Sequence, residues 1–162
     1  MQQFFIDQQI NLNQEIKLNE EIAYQCIHVL RYQNDKLIRC VDHNGVLALC
    51  RIRIDNESLF STPIELLDPV SEMKCKVTLI QALIRKERWE YILQKATELG
   101  VYRIVPIELK RNVVQWDKND SSRKVERYQK IMIEAAEQSK RVFVPKLRSE
   151  EHTSELQSRH NL

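Results

Sequence analysis

Glu134, Gln138 and Arg141 lie four and three residues apart near the end of a predicted helix. Residues with these spacings share one helical face, so an acid, an amide and a cation would be neighbours. A helix that ends beside the carboxyl ends of parallel strands is where α/β proteins bind ligands, and this makes the group a candidate site. The simpler interpretation is a solvated helical face on which Glu137 and Arg141 form an ordinary ion pair.

A second candidate pair is His28 and Arg31, three residues apart on the polar edge of a helix predicted early in the chain. They are either ordinary surface residues or contacts to a ligand. Charge divides the chain: residues 1–67 have 6 Lys and Arg against 9 Asp and Glu, whereas residues 68–147 have 17 against 11, so the basic excess lies in the middle segment and not around His28 and Arg31. A basic surface attracts nucleic acid, although a solvated helical face would have the same composition.

Glycine is scarce, with only Gly45 and Gly100 among 162 residues. Loops that bind phosphates or dinucleotides need glycine, because backbone amides must approach the ligand closely. The sequence therefore contains no P-loop and no GxGxxG turn. A cofactor pocket built on glycine-rich loops is excluded from these residues.

Cysteine and histidine give no indication of a metal site. The cysteines form no CxxC pair, and two of the four histidines lie in the polar last fifteen residues. Metal and disulfide frameworks need closer partners. No apolar run approaches the roughly 20 residues of a membrane span, and the start does not resemble a signal peptide. We therefore expect a cytoplasmic protein with reduced thiols and no membrane partner.

Residues 1–67 are predicted to form a small β-barrel domain with one helix. Residues 36–42 and 46–53 are short apolar runs joined by an Asn-Gly turn, the pattern of a hairpin. Residues 58–67 form a further strand, in which Pro63 indicates an edge or a bulge. Residues 68–75 have little apolar content and are predicted to be a linker.

Residues 76–147 are predicted to alternate between strands and helices. Strands are expected at 76–83, at 101–109 and from about Val142, a pattern typical of the first half of a parallel, doubly wound α/β domain.

Three helices are predicted from capping residues and apolar periodicity. The first begins after Asn19, the second covers 87–99 and ends at Gly100, and the third runs from about Asp120 to Arg141. Their predicted buried faces are, in order, Ile22, Cys26, Val29 and Leu30; Trp89, Ile92, Leu93, Ala96 and Leu99; and Val125, Tyr128, Ile131, Met132, Ala135, Ala136 and Ser139.

The segments HVLR, VTLIQAL, QKATELGVYRIVPI and RYQKIMIEAAEQSKRVFVP occur in an order that resembles the ribosomal RNA small subunit methyltransferase E family, from Met1 to about Leu147. The resemblance implies a PUA-like RNA-binding domain, then the N-terminal part of a SPOUT methyltransferase domain. It also implies a homodimeric enzyme that uses S-adenosyl-L-methionine to methylate nitrogen 3 of a uridine in 16S rRNA. Small-subunit rRNA or the 30S subunit would be its partner.

The resemblance also implies site residues. It assigns catalysis to Glu134, Gln138 and Arg141, and RNA binding to His28, Arg31 and Arg111. Arg141 or Arg111 would stabilise the developing uridinate, and a positioned base would accept its proton. Two positions depart from the family: Asn112 stands where serine is usual, and Lys140 stands where a small residue is common.

The last fifteen residues, 148–162, are polar and have no apolar periodicity. Written as codons, RSEEHTSELQS (148–158) corresponds in frame to a widely used sequencing adapter, so this tail is interpreted as non-native. In the family the cofactor pocket lies in a C-terminal knot, about a domain-sized hundred residues beyond Leu147. The chain is therefore interpreted as truncated and inactive. The alternatives are an RNA-binding module without catalysis and an incompletely folded fragment.

Deleting residues 148–162 is expected to leave both stability and RNA affinity unchanged, because polar segments without periodicity bury too little surface to fold. Urea unfolding and RNA titration of the shortened chain would check this. A loss above about 1 kcal/mol, a typical mutational effect, would contradict the interpretation.

Overall fold

The computed structural model describes most of the chain in two compact units, Met1–Val70 and Ser71–Leu162. The division falls inside the predicted linker 68–75. The described residues are 1–69, 72–107, 109 and 121–147. The predicted start of the third helix near Asp120 and the predicted tail lie outside them.

The first unit is built on a five-stranded sheet in which only the outer strand, Gln3–Phe5, runs parallel to its neighbour. The predicted hairpin is confirmed: the strands Leu37–Val41 and Leu47–Asp55 pair antiparallel across a turn where Gly45 has a φ of 81°. The two edge strands were not predicted, and barrel closure stays a prediction. In spatial order the strands are β1 (Gln3–Phe5), β3 (Leu37–Val41), β4 (Leu47–Asp55), β5 (Ser58–Leu67) and β2 (Ile16–Lys17).

A β-bulge interrupts the pairing of β4 with β5, as Pro63 predicted. Leu49 pairs with Glu65 while the next residue, Cys50, pairs with Pro63, so Ile64 has no opposite residue. Proline cannot donate a hydrogen bond to the ladder, which is why it is tolerated at such an irregularity.

The helix of the first unit is α1 (Glu20–Tyr24), and it continues into a π-helical turn at Gln25–Val29. Asn19 caps it as predicted, since its side-chain oxygen accepts a hydrogen bond from the Ile22 amide at 2.9 Å. The prediction that Val29 is buried is wrong: its side chain is 62% exposed. In a π turn hydrogen bonds run from i to i+5, so the extra residue rotates later side chains away from the buried face.

Asp42 is a buried acid that joins a distant loop to the hairpin turn of the first unit. One carboxylate oxygen accepts a hydrogen bond from the Ile10 amide at 3.1 Å. The other accepts from the Asn44 amide at 2.8 Å and the Val46 amide at 3.0 Å. Three backbone donors are thus satisfied by one side chain.

Three of the four cysteines, Cys26, Cys40 and Cys50, are buried in the first unit, whereas Cys75 is exposed. All four are thiols rather than disulfide partners, as the sequence predicted. A hydrogen bond with Cys50, together with burial, raises the pKa of the Cys40 thiol well above its ordinary value. That thiol therefore stays protonated and unreactive at neutral pH.

The second unit has the predicted order of strand, helix, strand, helix, strand. Its three described strands are parallel and lie side by side in chain order, with a helix in each of the two connections. The elements are β6 (Thr78–Ala82), α2 (Lys86–Glu98), β7 (Arg103–Ile107), α3 (Ser121–Gln138) and β8 (Lys146–Leu147).

One helical layer packs on the sheet of the second unit. Trp89 of α2 and Tyr128 of α3 meet edge to face, with ring centroids 6.4 Å apart. Their buried neighbours include Leu83, Leu93, Ala96, Ile104 and Met132.

The end of α2 agrees with prediction to within one residue, but the burial of Leu99 and the end of α3 differ from it. Leu99 is 74% exposed rather than buried, because α2 ends at Glu98 and Gly100 reverses the chain with a φ of 93°. The third helix, α3, ends at Gln138 rather than near Arg141, and Lys140 adopts a φ of 62°. The residues after Gln138 therefore leave the helical path.

Candidate functional site

Glu134 and Gln138 line a surface cavity of about 410 Å³ between α2 and α3. Both are exposed, and they lie one turn apart on α3, as predicted. The cavity is lined by Glu87, Glu90, Tyr91, Gln94, Ile131, Glu134, Ala135 and Gln138.

The cavity is acidic. Three carboxylates line it, and Glu90 is bridged by Arg127 at 2.9 Å. Carboxylates repel phosphates, so this surface does not suit the backbone of a nucleic acid. The catalytic assignment of Glu134 and Gln138 stays a prediction.

Arg141 does not join this cavity. It follows the end of α3, and only 2% of its surface is exposed. The prediction that it shares a helical face with Glu134 and Gln138 is therefore wrong, because the backbone turns at Lys140 before reaching it. Its catalytic role stays a prediction.

The Arg141 guanidinium is surrounded by acceptors. It donates to Glu72 Oε2 at 2.8 Å, to the Thr97 carbonyl at 2.9 Å and to the Val101 carbonyl at 3.1 Å. The structure pairs Arg141 with Glu72, a partner that sequence spacing did not indicate. A buried charge needs such compensation, because desolvation costs several kcal/mol per ion.

Glu72 binds two backbone amides as well as the Arg141 side chain. Its Oε1 atom accepts hydrogen bonds from the Val142 amide at 2.9 Å and the Phe143 amide at 3.2 Å. We call these residues the Arg141 cluster: Glu72, Thr97, Val101, Arg141, Val142 and Phe143. The cluster fastens the start of the second unit to the end of α2 and to the segment before β8. Sequence reasoning missed it because Glu72 lies in a segment predicted to be only a linker.

His28 and Arg31 lie on the surface of the first unit, as predicted. His28 Nε2 is 2.8 Å from Glu57 Oε2, and its ring tilts against Tyr24 with centroids 4.9 Å apart. Arg31 is exposed and has a φ of 52°, which ends the π-helical turn. The structure thus places both side chains where a large ligand can reach them, and their RNA-binding role stays a prediction.

Arg111 and Asn112 lie outside the described residues. In the part of the chain that the structure describes, no three His, Cys, Asp or Glu side chains are grouped to hold a metal ion. The described helices include none that is both long and apolar enough to cross a membrane.

Comparison with known proteins identifies the class to which the fold and sequence belong. The model of one family, described as an RNA methyltransferase domain, matches residues 71–161. The chain belongs to this RNA methyltransferase family.

Within this class, the predicted resemblance to ribosomal RNA small subunit methyltransferase E is confirmed. The protein of that name from Bacillus subtilis (strain 168) is 31% identical over 151 residues, which cover 91% of this chain and 59% of that protein. The namesake from Mesomycoplasma hyopneumoniae (strain 232) is 33% identical over 121 residues, covering 75% of this chain and 51% of that one. The chain thus spans little more than half the length of these relatives.

A solved structure supports the same relationship. It is that of a ribosomal RNA small subunit methyltransferase E from Neisseria gonorrhoeae bound to S-adenosyl methionine. It superposes with a TM-score of 0.83 at 27% identity, covering 91% of this chain and 60% of the other. The two-unit α/β fold is therefore shared with that enzyme.

Proposed function

We propose that these residues are part of an S-adenosyl-L-methionine-dependent enzyme that methylates nitrogen 3 of a uridine in 16S rRNA. The first unit would be the PUA-like RNA-binding domain, and the second would be the N-terminal part of the SPOUT domain. The observation that carries the proposal is the superposition over 91% of the chain on a methyltransferase bound to S-adenosyl methionine. The complete protein would act as a homodimer on the 30S subunit or its rRNA, in the cytoplasm.

The cavity between α2 and α3 does not fit the adenosyl group, because it is lined by helical side chains, three of them carboxylates. It has no glycine-rich loop whose amides could approach a ligand, since the whole sequence contains two glycines. We therefore place the cofactor pocket outside residues 76–147, and we derive no reaction step through the cofactor.

Arg111 is a better candidate than Arg141 for stabilising a uridinate. The Arg141 guanidinium is buried and already bonded to Glu72 and two backbone carbonyls. A substrate anion would have to displace that carboxylate, leaving a buried negative charge without its partner. Arg111 follows β7 along the chain, after the carboxyl end of a parallel strand, where α/β folds place ligands.

RNA binding without catalysis is the second candidate function. The small number of glycines favours it for these 162 residues, while the exposed His28 and Arg31 remain available to RNA. Under this alternative the chain would bind small-subunit rRNA and leave it unmodified.

Methylation and RNA binding without catalysis can be distinguished on small-subunit rRNA from a strain that lacks the gene for this protein. We expect full-length protein to restore N3-methyluridine, measured by nucleoside mass spectrometry, and the 162-residue chain to restore none. Methylation by the short chain would overturn the placement of the pocket. No methylation by full-length protein would overturn the proposed activity.

A further inference from the structure

Cations and stacked aromatic rings meet at the amino ends of the parallel strands of the second unit. The rings of Tyr102 and Phe143 are parallel to within 8°, and their centroids are 4.9 Å apart. The Lys76 ammonium lies 4.9 Å from the Tyr102 ring centroid, and the Arg103 guanidinium carbon lies 6.0 Å from it. We call Lys76, Tyr102, Arg103, Phe143 and Lys146 the amino-edge patch.

The sheet itself brings these residues together. Arg103 begins β7 and is in register with Lys146, the first residue of β8. The Tyr102 amide donates to the Val77 carbonyl at 2.9 Å, and the Lys146 amide donates to the Tyr102 carbonyl at 3.1 Å. Three separate parts of the sequence are thereby joined by backbone hydrogen bonds, so the patch belongs to the fold.

The patch keeps its positive charge. Lys76 and Lys146 are exposed, and Arg103 is partly exposed. Among the contacts of the described residues, an acid bonded beside it is Glu72, through the Phe143 amide, and Arg141 compensates that carboxylate at 2.8 Å. An anion approaching the patch therefore meets cations that Glu72 does not neutralise.

Half-exposed aromatic rings among cations match the chemistry of a single nucleic-acid strand. Proteins that bind single strands combine a basic surface for the phosphates with aromatic rings on which bases stack. An acidic protein partner would need the cations but would gain nothing specific from two stacked rings. The combination therefore favours RNA over a purely anionic protein surface.

We propose that the amino-edge patch binds a single-stranded segment of RNA, with phosphates on Lys76, Arg103 and Lys146 and a base against the Tyr102–Phe143 stack. The proposal rests on the proposed function for the choice of RNA. It adds a contact at the end of the sheet opposite the one where α/β folds place their reacting ligand. The patch would hold rRNA beyond the uridine that is modified.

Fluorescence anisotropy of the 162-residue chain with a labelled, unpaired RNA of about 12 nucleotides, within the usual site size, tests the proposal. We expect Lys76→Glu and Arg103→Glu each to weaken binding. Affinity falls as salt rises, and each substitution should make this fall shallower: the magnitude of the slope of log affinity against log salt should decrease by about 0.7, the contribution of one single-strand phosphate. Phe143→Leu should weaken binding roughly tenfold and leave the slope unchanged, because it removes stacking and no charge.

Lys130→Glu is the matched control. Lys130 is exposed midway along α3, apart from both ends of the strands, and its reversal changes the net charge equally. We expect it to bind nearly as the unmodified chain does. Urea unfolding of every variant establishes that the second unit remains folded.

Each contrary result would overturn a particular part of the proposal. An equal loss in Lys130→Glu would mean general electrostatic attraction and overturn the patch. Weaker binding in both charge variants with no effect of Phe143→Leu would mean that only phosphates are bound, and would overturn the stacking of a base. If full-length protein methylates rRNA while the patch variants bind RNA normally, the patch fails and the proposed function stands. If full-length protein neither methylates nor binds, both fail.

Discussion

Arg141→Ala is expected to destabilise the second unit by about 3–5 kcal/mol, the usual cost of breaking a buried ion pair from one side. The substitution leaves the Glu72 carboxylate without its cation. It also removes donors from the Thr97 and Val101 carbonyls. Urea unfolding followed by the fluorescence of the buried Trp89 would measure the loss in the free energy of unfolding.

The bridge between Arg127 and Glu90, whose cation is far more exposed than Arg141, supplies the control. Arg127 is 53% exposed and its bond to Glu90 is 2.9 Å long, so Arg127→Ala should cost less than about 1 kcal/mol. Equal effects of the two substitutions would contradict the structural importance of the Arg141 cluster.

The double variant Glu72→Leu/Arg141→Leu makes the test sharper. Replacing a buried ion pair by apolar residues is often harmless. Here it should not restore stability, because the Val142 and Phe143 amides would lose their shared acceptor. Full recovery would show that the cluster acts only through its charges.

Asp42→Ala is expected to destabilise the first unit by about 3 kcal/mol, because it leaves three backbone amides without their acceptor. Asp42→Asn should cost about half as much. Its remaining oxygen can serve Asn44 and Val46, while its amide group would face the Ile10 donor.

Amide hydrogen exchange is the suitable measurement, since both tryptophans lie outside the first unit. In Asp42→Asn the Ile10 amide should lose protection more than the Val46 amide, and in Asp42→Ala both should lose it. Asp55→Ala is the control, because Asp55 is 58% exposed at the end of β4 and should change little. Equal protection in all three variants would contradict the proposed role of Asp42.

Local sequence signals were sufficient where one short segment decides the structure. Asn19 as a cap, the Asn-Gly turn, the bulge at Pro63 and the end of α2 before Gly100 all follow from backbone preferences of single residues. The alternation of strands and helices in the second unit followed from apolar periodicity.

Long-range and irregular features could not be predicted in the same way. The π-helical turn changes the number of residues per turn, so the predicted position of Val29 failed although the helix itself was found. Glu72 and Arg141 are 69 residues apart, and nothing in either local sequence indicates their pairing. Arg141 was therefore grouped with Glu134 and Gln138 by spacing, whereas the turn at Lys140 carries it into the interior.

The 69-residue separation of Glu72 from Arg141 also orders events during synthesis on the ribosome. At about 5–20 residues per second, Arg141 is made roughly 3–14 s after Glu72. The five strands of the first sheet are complete once Leu67 has been added, so that sheet can form without any later residue. Until Arg141 has been added, the Glu72 carboxylate lacks the guanidinium that it binds in the folded unit. The nascent second unit therefore acquires its closing contact only when almost all of its described residues have been translated.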